Sequence, residues 1–325
     1  MDKKPNSEFL YQYGVKEKNV SFIGGFVNYV YNVKLENKDF ILRIGSKKNK
    51  KLSDIEGEID WINFLKNKEI SVCAPIKNLK DNFFVESKDE IAVLFEKAEG
   101  EFVDYKSKFW NKDLFYIWGK NIGKMNNAAK YYIPDSSIKR YEWYQDVFFT
   151  PEIVKDSNFE KLFYEKMEFL KSYDKDEKSY GLIHGDLHHK NFTFNGEKMY
   201  MFDFDDSSYN YYVHDIAMPI FYSLSMFNDI NEDTRFEKCE EFFIPFMKGY
   251  YEENDLDNKW LEIIPDIFKF RELLLILAIN KQIDLEDPKN EKLKKYEQEL
   301  KESVMLDKPY VKDFDKIIKK IKEIK

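Results

Sequence analysis

Residues 184–206 gather carboxylates, histidines and a carboxamide at spacings that suit phosphoryl transfer. The run His184-Gly185-Asp186-Leu187-His188-His189-Lys190-Asn191 sets an Asp five positions ahead of an Asn, and Asp203 follows in Phe202-Asp203-Phe204-Asp205-Asp206. Moving a phosphoryl group to a hydroxyl requires alignment, a proton acceptor and cations that offset charge on the phosphate oxygens. Asp186 fits the second need, orienting the acceptor hydroxyl and taking its proton. Asn191 and Asp203 offer hard oxygen donors, the type that magnesium takes while keeping waters and phosphate oxygens in its shell. ATP and Mg are therefore the expected cofactors. His184 reads as a loop-organising residue and not as the base. Any one of these side chains alone would be a solvated or capping group; their joint spacing carries the reading.

Two other chemistries can be set against it. His184-x-Asp186 with His214 formally matches the two-His-one-carboxylate triad of non-haem iron sites. That reading leaves Asn191 and Asp203 without roles, and the residues around His214 look like a helix start and not a barrel strand. A module that holds nucleotide without turning it over would not need Asp186, Asn191 and Asp203 all intact.

Composition narrows the class. The 325 residues are 43% hydrophobic and 34% charged, ordinary for a folded chain of one large or two modest domains. A net charge of −8 speaks against a nucleic-acid partner, which normally meets a basic face. Cys73 and Cys239 are the only cysteines and have no metal-ligand spacing, which fits a reducing, cytoplasmic setting. Met1-Asp2-Lys3-Lys4-Pro5-Asn6 leads into no long apolar stretch of the secretory kind. The greasiest run, Leu273 to Ile279, is far shorter than the roughly 20 residues of a membrane span, so none is expected.

The elements that must position the chemistry follow from periodicity. Tyr29, Tyr31, Val33 and Leu35 alternate with polar neighbours in a strand-like period of two, after Gly24-Gly25 and before Glu36-Asn37-Lys38-Asp39 and Phe40–Ile44. Ser53-Asp54-Ile55-Glu56 has the form of a capping box. It opens a helix with Ile55, Ile59, Ile62 and Leu65 on one face. Short strands are expected at Phe83–Val85 and Ile91–Phe95. After Glu99-Gly100 long helical patterns take over, with Leu114, Ile117, Trp118, Ile122 and Met125 in one and Phe159 to Leu170 in another. From Asp215 onward the chain reads as helix almost to its end. The expected fold class is α+β: a small β-rich lobe with one main helix over residues 1–97, and a larger, mostly helical lobe over 98–325. The basic amphipathic stretch at Phe314, Ile317, Ile318, Ile321 and Ile324 reads as a face packed on the core.

Ile183–Asn191, Phe202–Asp206 and His214-Asp215-Ile216-Ala217 together resemble the aminoglycoside phosphotransferase/choline kinase superfamily, most of all its RdoA-type branch of stress-response and homoserine-kinase-like enzymes. The resemblance covers roughly residues 10–285. It implies a bilobal protein-kinase-like fold and transfer of the ATP γ-phosphate to a hydroxyl. It implies a nucleotide loop at Gly24 and Gly25 within Phe22–Asn28, where a plain hairpin turn is the alternative. It puts Arg43 where protein kinases carry a phosphate-contacting Lys, with a solvent-facing strand residue as the alternative. Glu58 falls on the apolar side of its helix, which suits an ion pair to Arg43. Glu96 through Gly100, including Ala98, resembles the hinge that receives adenine. Asp205 stands where protein kinases have Gly, and Gly123-Lys124-Met125-Asn126 where relatives often show Leu-His, a change expected to touch packing or acceptor contacts. Asp215 is expected to buttress the catalytic loop. The expected partner is a small molecule bearing a hydroxyl, with a Ser/Thr protein kinase of RdoA type as the alternative. Tyr209, Tyr211 and Tyr212 could line the acceptor side or pack. The acidic runs at 237–241 and 252–257 read as solvated surface. Oligomeric state is left open.

Overall fold

The structure, a computed structural model, describes residues 4–25, 28–227 and 230–325. Met1, Asp2 and Lys3, with Phe26 and Val27 of the glycine segment, lie outside the described residues. The fold is α+β. Its elements run α1 (Ser7–Gln12), β1 (Val20–Gly24), β2 (Tyr29–Leu35), β3 (Lys38–Ser46), α2 (Leu52–Asn67), β4 (Pro75–Ile76), β5 (Phe84–Glu86), β6 (Glu90–Glu96), α3 (Lys112–Ala129), α4 (Ser157–Lys171), β7 (Tyr180–Ile183), β8 (Phe192–Phe194), β9 (Met199–Met201), β10 (Ser208–Tyr211), α5 (Tyr212–Ser225), α6 (Glu232–Glu253), α7 (Ile264–Gln282), α8 (Glu291–Met305) and α9 (Phe314–Lys322).

Two compact units form. The first takes its described residues from Met1–Val103, Tyr131–Arg140 and Lys190–Ser207; the second takes Asp104–Lys130, Tyr141–His189 and Ser208–Lys325. This is not a single cut between residues 97 and 98. The β8–β9 hairpin belongs with the first unit because its backbone bonds there: Cys73 N–H to the Met201 carbonyl (2.9 Å), Met201 N–H to Ser71 (2.9 Å), and Glu101 with Phe194 in both directions (3.0 Å).

The first unit is built on an antiparallel sheet in the order β1-β2-β3-β6-β4, with β5 also paired to β6. Glu36 and Asn37 both have positive φ (47° and 66°), the backbone of a tight turn whose twist matches its flanking strands. Side chains alternate across a strand, so Leu42 and Ile44 face a core with Tyr31, Val33 and Leu94. Arg43 is thereby sent to the other face. The core also takes Phe9, Leu10 and Tyr13 from α1 and the turn after it, a helix whose six residues are too short to show a period in sequence. Ser53 does not cap α2. The helix starts one residue earlier, at Leu52, and the Asp54 carboxylate accepts the Lys51 N–H (3.0 Å).

In the second unit β7 pairs antiparallel with β10, and among the described residues seven helices, α3 to α9, accompany them. α5 starts at Tyr212, three residues before Asp215. The apolar run in α7 is core: Leu273, Ile276 and Leu277 are fully buried. α9 packs inward as its stripe predicts, with Phe314, Ile317, Ile318 and Ile321 buried and Phe314 stacked on Phe243 at 5.8 Å. Among the described residues, no helix is long and apolar enough to cross a membrane. Cys73 and Cys239 are both buried thiols.

Candidate active site

In the second unit the working loop leaves β7 directly after Ile183. Gly185 has φ 85°, a left-handed conformation that L side chains rarely adopt. His184 is fully buried and its Nδ1 accepts the Asp186 N–H (3.3 Å). Asp215, buried on α5, accepts the backbone N–H groups of His184 (3.2 Å) and Gly185 (2.8 Å), the buttress expected of it. Asn126 on α3 donates to the same carboxylate (3.2 Å) and accepts from the Tyr250 hydroxyl (3.1 Å). Asn126 therefore braces the loop through Asp215, and does more than pack.

Asp186 meets Arg271 of α7 at 3.0 Å and His188 Nε2 at 3.4 Å. Burial opposes its charge, but the Arg271 guanidinium and the His188 contact outweigh burial and hold the carboxyl below its usual value. Asp186 is thus ionised before any substrate arrives. Arg271 is fixed in turn by the Tyr222 hydroxyl (2.9 Å from Nε) and lies over the Tyr222 ring (5.1 Å). His214 goes the other way. Burial and then Arg271 push it down to about 4, so it is neutral near pH 7, with Nε2 3.2 Å from the Gly185 carbonyl. Burial pushes Asp215 up to about 6 against the pull of its two backbone donors.

In the first unit the β8–β9 register opposes Phe192 to Met201, and the Phe202 N–H reaches the Asn191 carbonyl (3.0 Å). That pairing brings Asn191 and Asp203 to the same end of the hairpin. Asp203 has a left-handed backbone (φ 66°, ψ 57°), a conformation that Asp tolerates better than most residues. Behind it, Arg43 and Glu58 form a bidentate pair at 2.8 and 2.5 Å with Glu58 1% exposed. Burial disfavours the Arg43 charge, yet Glu58 and then Asp205 more than restore it. The same guanidinium lies 3.7 Å from Asp203 and 3.8 Å from Asp205.

Asp205 is enclosed by cations. Lys50 is 3.0 Å away, the Asn28 amide 3.4 Å, and the Arg140 guanidinium donates to the Asp205, Ser207 and Asp54 carbonyls. Burial opposes its charge, but Arg43 and Lys50 pull Asp205 down to about 2. Asp203 is pushed up to about 7 by the surrounding chain, against Arg43 and with help from Asp205 and Asp206. Its side chain is still 49% open to solvent, so a cation arriving from water can reach it. No cluster of three or more His, Cys, Asp or Glu ligands occurs among the described residues. That donor set fits magnesium, which is held by one or two protein oxygens with phosphate and water completing the shell, and not an all-protein cage.

The remaining expected residues are placed less tellingly. A Cβ at Gly25 would stand 1.7 Å from the Asn28 carbonyl oxygen, so that position admits only glycine; Gly24 has open space. Glu96 ends β6, its N–H given to the Ala74 carbonyl (2.9 Å) and its carboxylate paired with Lys66 (2.7 Å). Ala98 lies in the irregular segment that follows. The acidic runs are surface: Glu252 pairs with Lys120 and Asp255 with Lys325. Tyr211 and Tyr212 are buried packing residues.

Lys50, Arg140, Arg271, His188 and Tyr222 had no place in the sequence reading. One signal could have found the arginines. Of 52 basic residues only four are Arg, and three of them bond within these residue groups: Arg43 to Glu58, Arg271 to Asp186 and Arg140 to the Asp205 backbone carbonyl. A chain that otherwise uses Lys keeps Arg where a planar fork is needed.

The fold and these residue groups define a kinase, a phosphotransferase with an alcohol group as acceptor. The chain belongs to the phosphotransferase enzyme family, which residues 20–238 match. It is 33% identical over 294 residues to amicoumacin kinase of Bacillus subtilis (strain 168), covering 86% of this chain and 85% of that one. Among solved structures it resembles the amicoumacin kinase hAmiN in complex with AMP-PNP, Ca2+ and Ami (27% identity, TM-score 0.87, 96% and 95% of the two chains). The microcompartment-associated aminopropanol kinase shares the fold at 18% identity (TM-score 0.72, 90% and 93%).

Proposed function

We propose that the chain transfers the γ-phosphate of ATP to a hydroxyl of a small molecule, with Asp186 as the base and with Asn191 and Asp203 as the protein ligands of Mg. The observation that carries this is the state of Asp186: a carboxylate held ionised by Arg271 and His188 on a loop braced by Asp215 and Asn126. A base must be deprotonated before the hydroxyl reaches it, and it must not wander. Asp186 would align the hydroxyl and accept its proton as the new P–O bond forms and the β–γ bridging bond breaks. Arg43, fixed by Glu58, would set a cationic fork beside the phosphates, and Lys50 holds Asp205 out of competition for the metal. Bound magnesium would offset charge on the phosphate oxygens. Gly24 and Gly25 would offer backbone N–H groups to phosphate, and Glu96 to Ala98 would border the adenine.

The 33% identical relative is an amicoumacin kinase, so amicoumacin is the first acceptor to assay. The test is ADP release and labelled-phosphate transfer with amicoumacin, amino alcohols, aminoglycosides and a generic protein substrate. Phosphate on a small-molecule hydroxyl is the expected result. Label on protein alone, or nucleotide turnover indifferent to every acceptor, would overturn the reading.

A further inference from the structure

Beside the Asp186 loop, the second unit holds a cavity of about 150 Å³ with five aromatic residues among the nine that line it: Tyr105, Trp110, Phe115, Phe227 and Phe242. The walls are already assembled. Phe115 and Phe242 lie 4.7 Å apart by ring centroids, Trp110 and Phe115 5.2 Å in a T, and Tyr105 and Phe227 5.1 Å. Ser223, Lys238 and Glu241 supply polar groups, and of these only Ser223 is buried. Ser223 on α5 lines the cavity, is only 2% exposed, and its hydroxyl has no hydrogen-bond partner among the described residues. A buried hydroxyl without a partner costs stability. That cost makes sense where a ligand supplies the missing bond. Lys238 and Glu241, paired with each other at 2.8 Å and more exposed, form a polar rim.

The cavity adjoins the catalytic loop without including it. Trp110 has its ring 6.5 Å from that of His189, and Tyr222, which immediately precedes Ser223, has its ring 4.7 Å from that of His188. Successive residues on a helix project about 100° apart, so α5 turns Tyr222 toward Arg271 and Asp186 while Ser223 turns into the cavity. A cavity of roughly 150 Å³ is large enough for a single benzene ring. Aromatic walls favour that ring over an aliphatic group through edge-to-face contacts.

We propose that this cavity is an aryl subsite for the acceptor, taking one aromatic ring with a polar substituent directed at Ser223, while a hydroxyl elsewhere on the same molecule is presented to Asp186. The inference rests on the small-molecule acceptor proposed above and specifies its chemical class.

The probes are phenylalaninol and alaninol, amino alcohols that differ by one phenyl group, titrated into the full chain by calorimetry and ligand-observed NMR. Burying the ring should make phenylalaninol bind more tightly by a factor on the order of 30. Ser223→Leu, which fills the cavity, should erase that preference; Ser223→Ala, which cannot fill it, should keep it. A thermal melt of each variant shows that it is folded. Equal affinity for the two probes, no detectable binding of phenylalaninol, or a preference that survives Ser223→Leu overturns the subsite. Binding is read apart from turnover. A chain that prefers the ring but transfers no phosphate would sink the proposed function and leave the subsite standing.

Discussion

Arg43 in the first unit and Arg271 in the second both meet carboxylates, yet they leave the aspartates beside them in opposite states. Arg43 is buried and fully engaged by Glu58, so Asp203 at 3.7 Å gains only part of its field and sits raised, half open to water. Arg271 meets Asp186 at 3.0 Å and holds that carboxyl down. The difference suits the roles proposed for the two groups: a metal ligand can stay under-compensated until a cation arrives, whereas a base must be charged in advance.

Removing the carboxylate that engages Arg43 is the harshest way to break this contrast. Glu58→Ala leaves a guanidinium 10% exposed with only the more distant Asp203 and Asp205 as counter-charges. The expected cost is about 3 kcal/mol of folding stability, read as a lower urea midpoint with an unchanged slope. Transfer activity should fall as well, as Arg43 turns toward Asp203. A smaller effect sharpens the other half. With Arg271→Gln, burial of Asp186 stands without its main counter-charge, so the carboxyl rises and the acid limb of kcat/KM moves to higher pH. The loss should be roughly tenfold near neutrality, greatest at low pH and partly recovered as pH rises. Arg271→Lys should restore part of the shift. An unmoved acid limb in Arg271→Gln would show that Arg271 does not set the charge on Asp186.

Much of the frame was legible because it repeats locally. The alternation in Tyr29–Leu35 and the stripes of α3, α4 and α9 are periods that one window can register. α1 was not legible, since six residues give no period and its burial depends on strands far along the chain. Ser53 misled for a related reason: the helix is capped two residues earlier, at Lys51, where Asp54 takes the N–H. At the site, the roles proposed for Asp186, Asn191 and Asp203 rest on their spacing, and the Glu58 pair with Arg43 was legible from an acid on an apolar face. Arg271 could not be read that way. It lies 85 residues beyond Asp186 and meets it only because α7 packs beside the loop. Asn126 likewise has no local signal for its bond to Asp215, which lies 89 residues further along the chain.

The division of labour between the two aspartates is tested most directly by measuring Mg–AMP-PNP affinity and single-turnover transfer on the same two variants. Asp186→Ala should bind Mg–AMP-PNP as the parent does and lose about a thousandfold in transfer. Asp203→Ala should lose the magnesium-dependent part of nucleotide affinity together with transfer. Transfer that persists in Asp186→Ala, or nucleotide affinity that falls equally in both variants, would contradict the account.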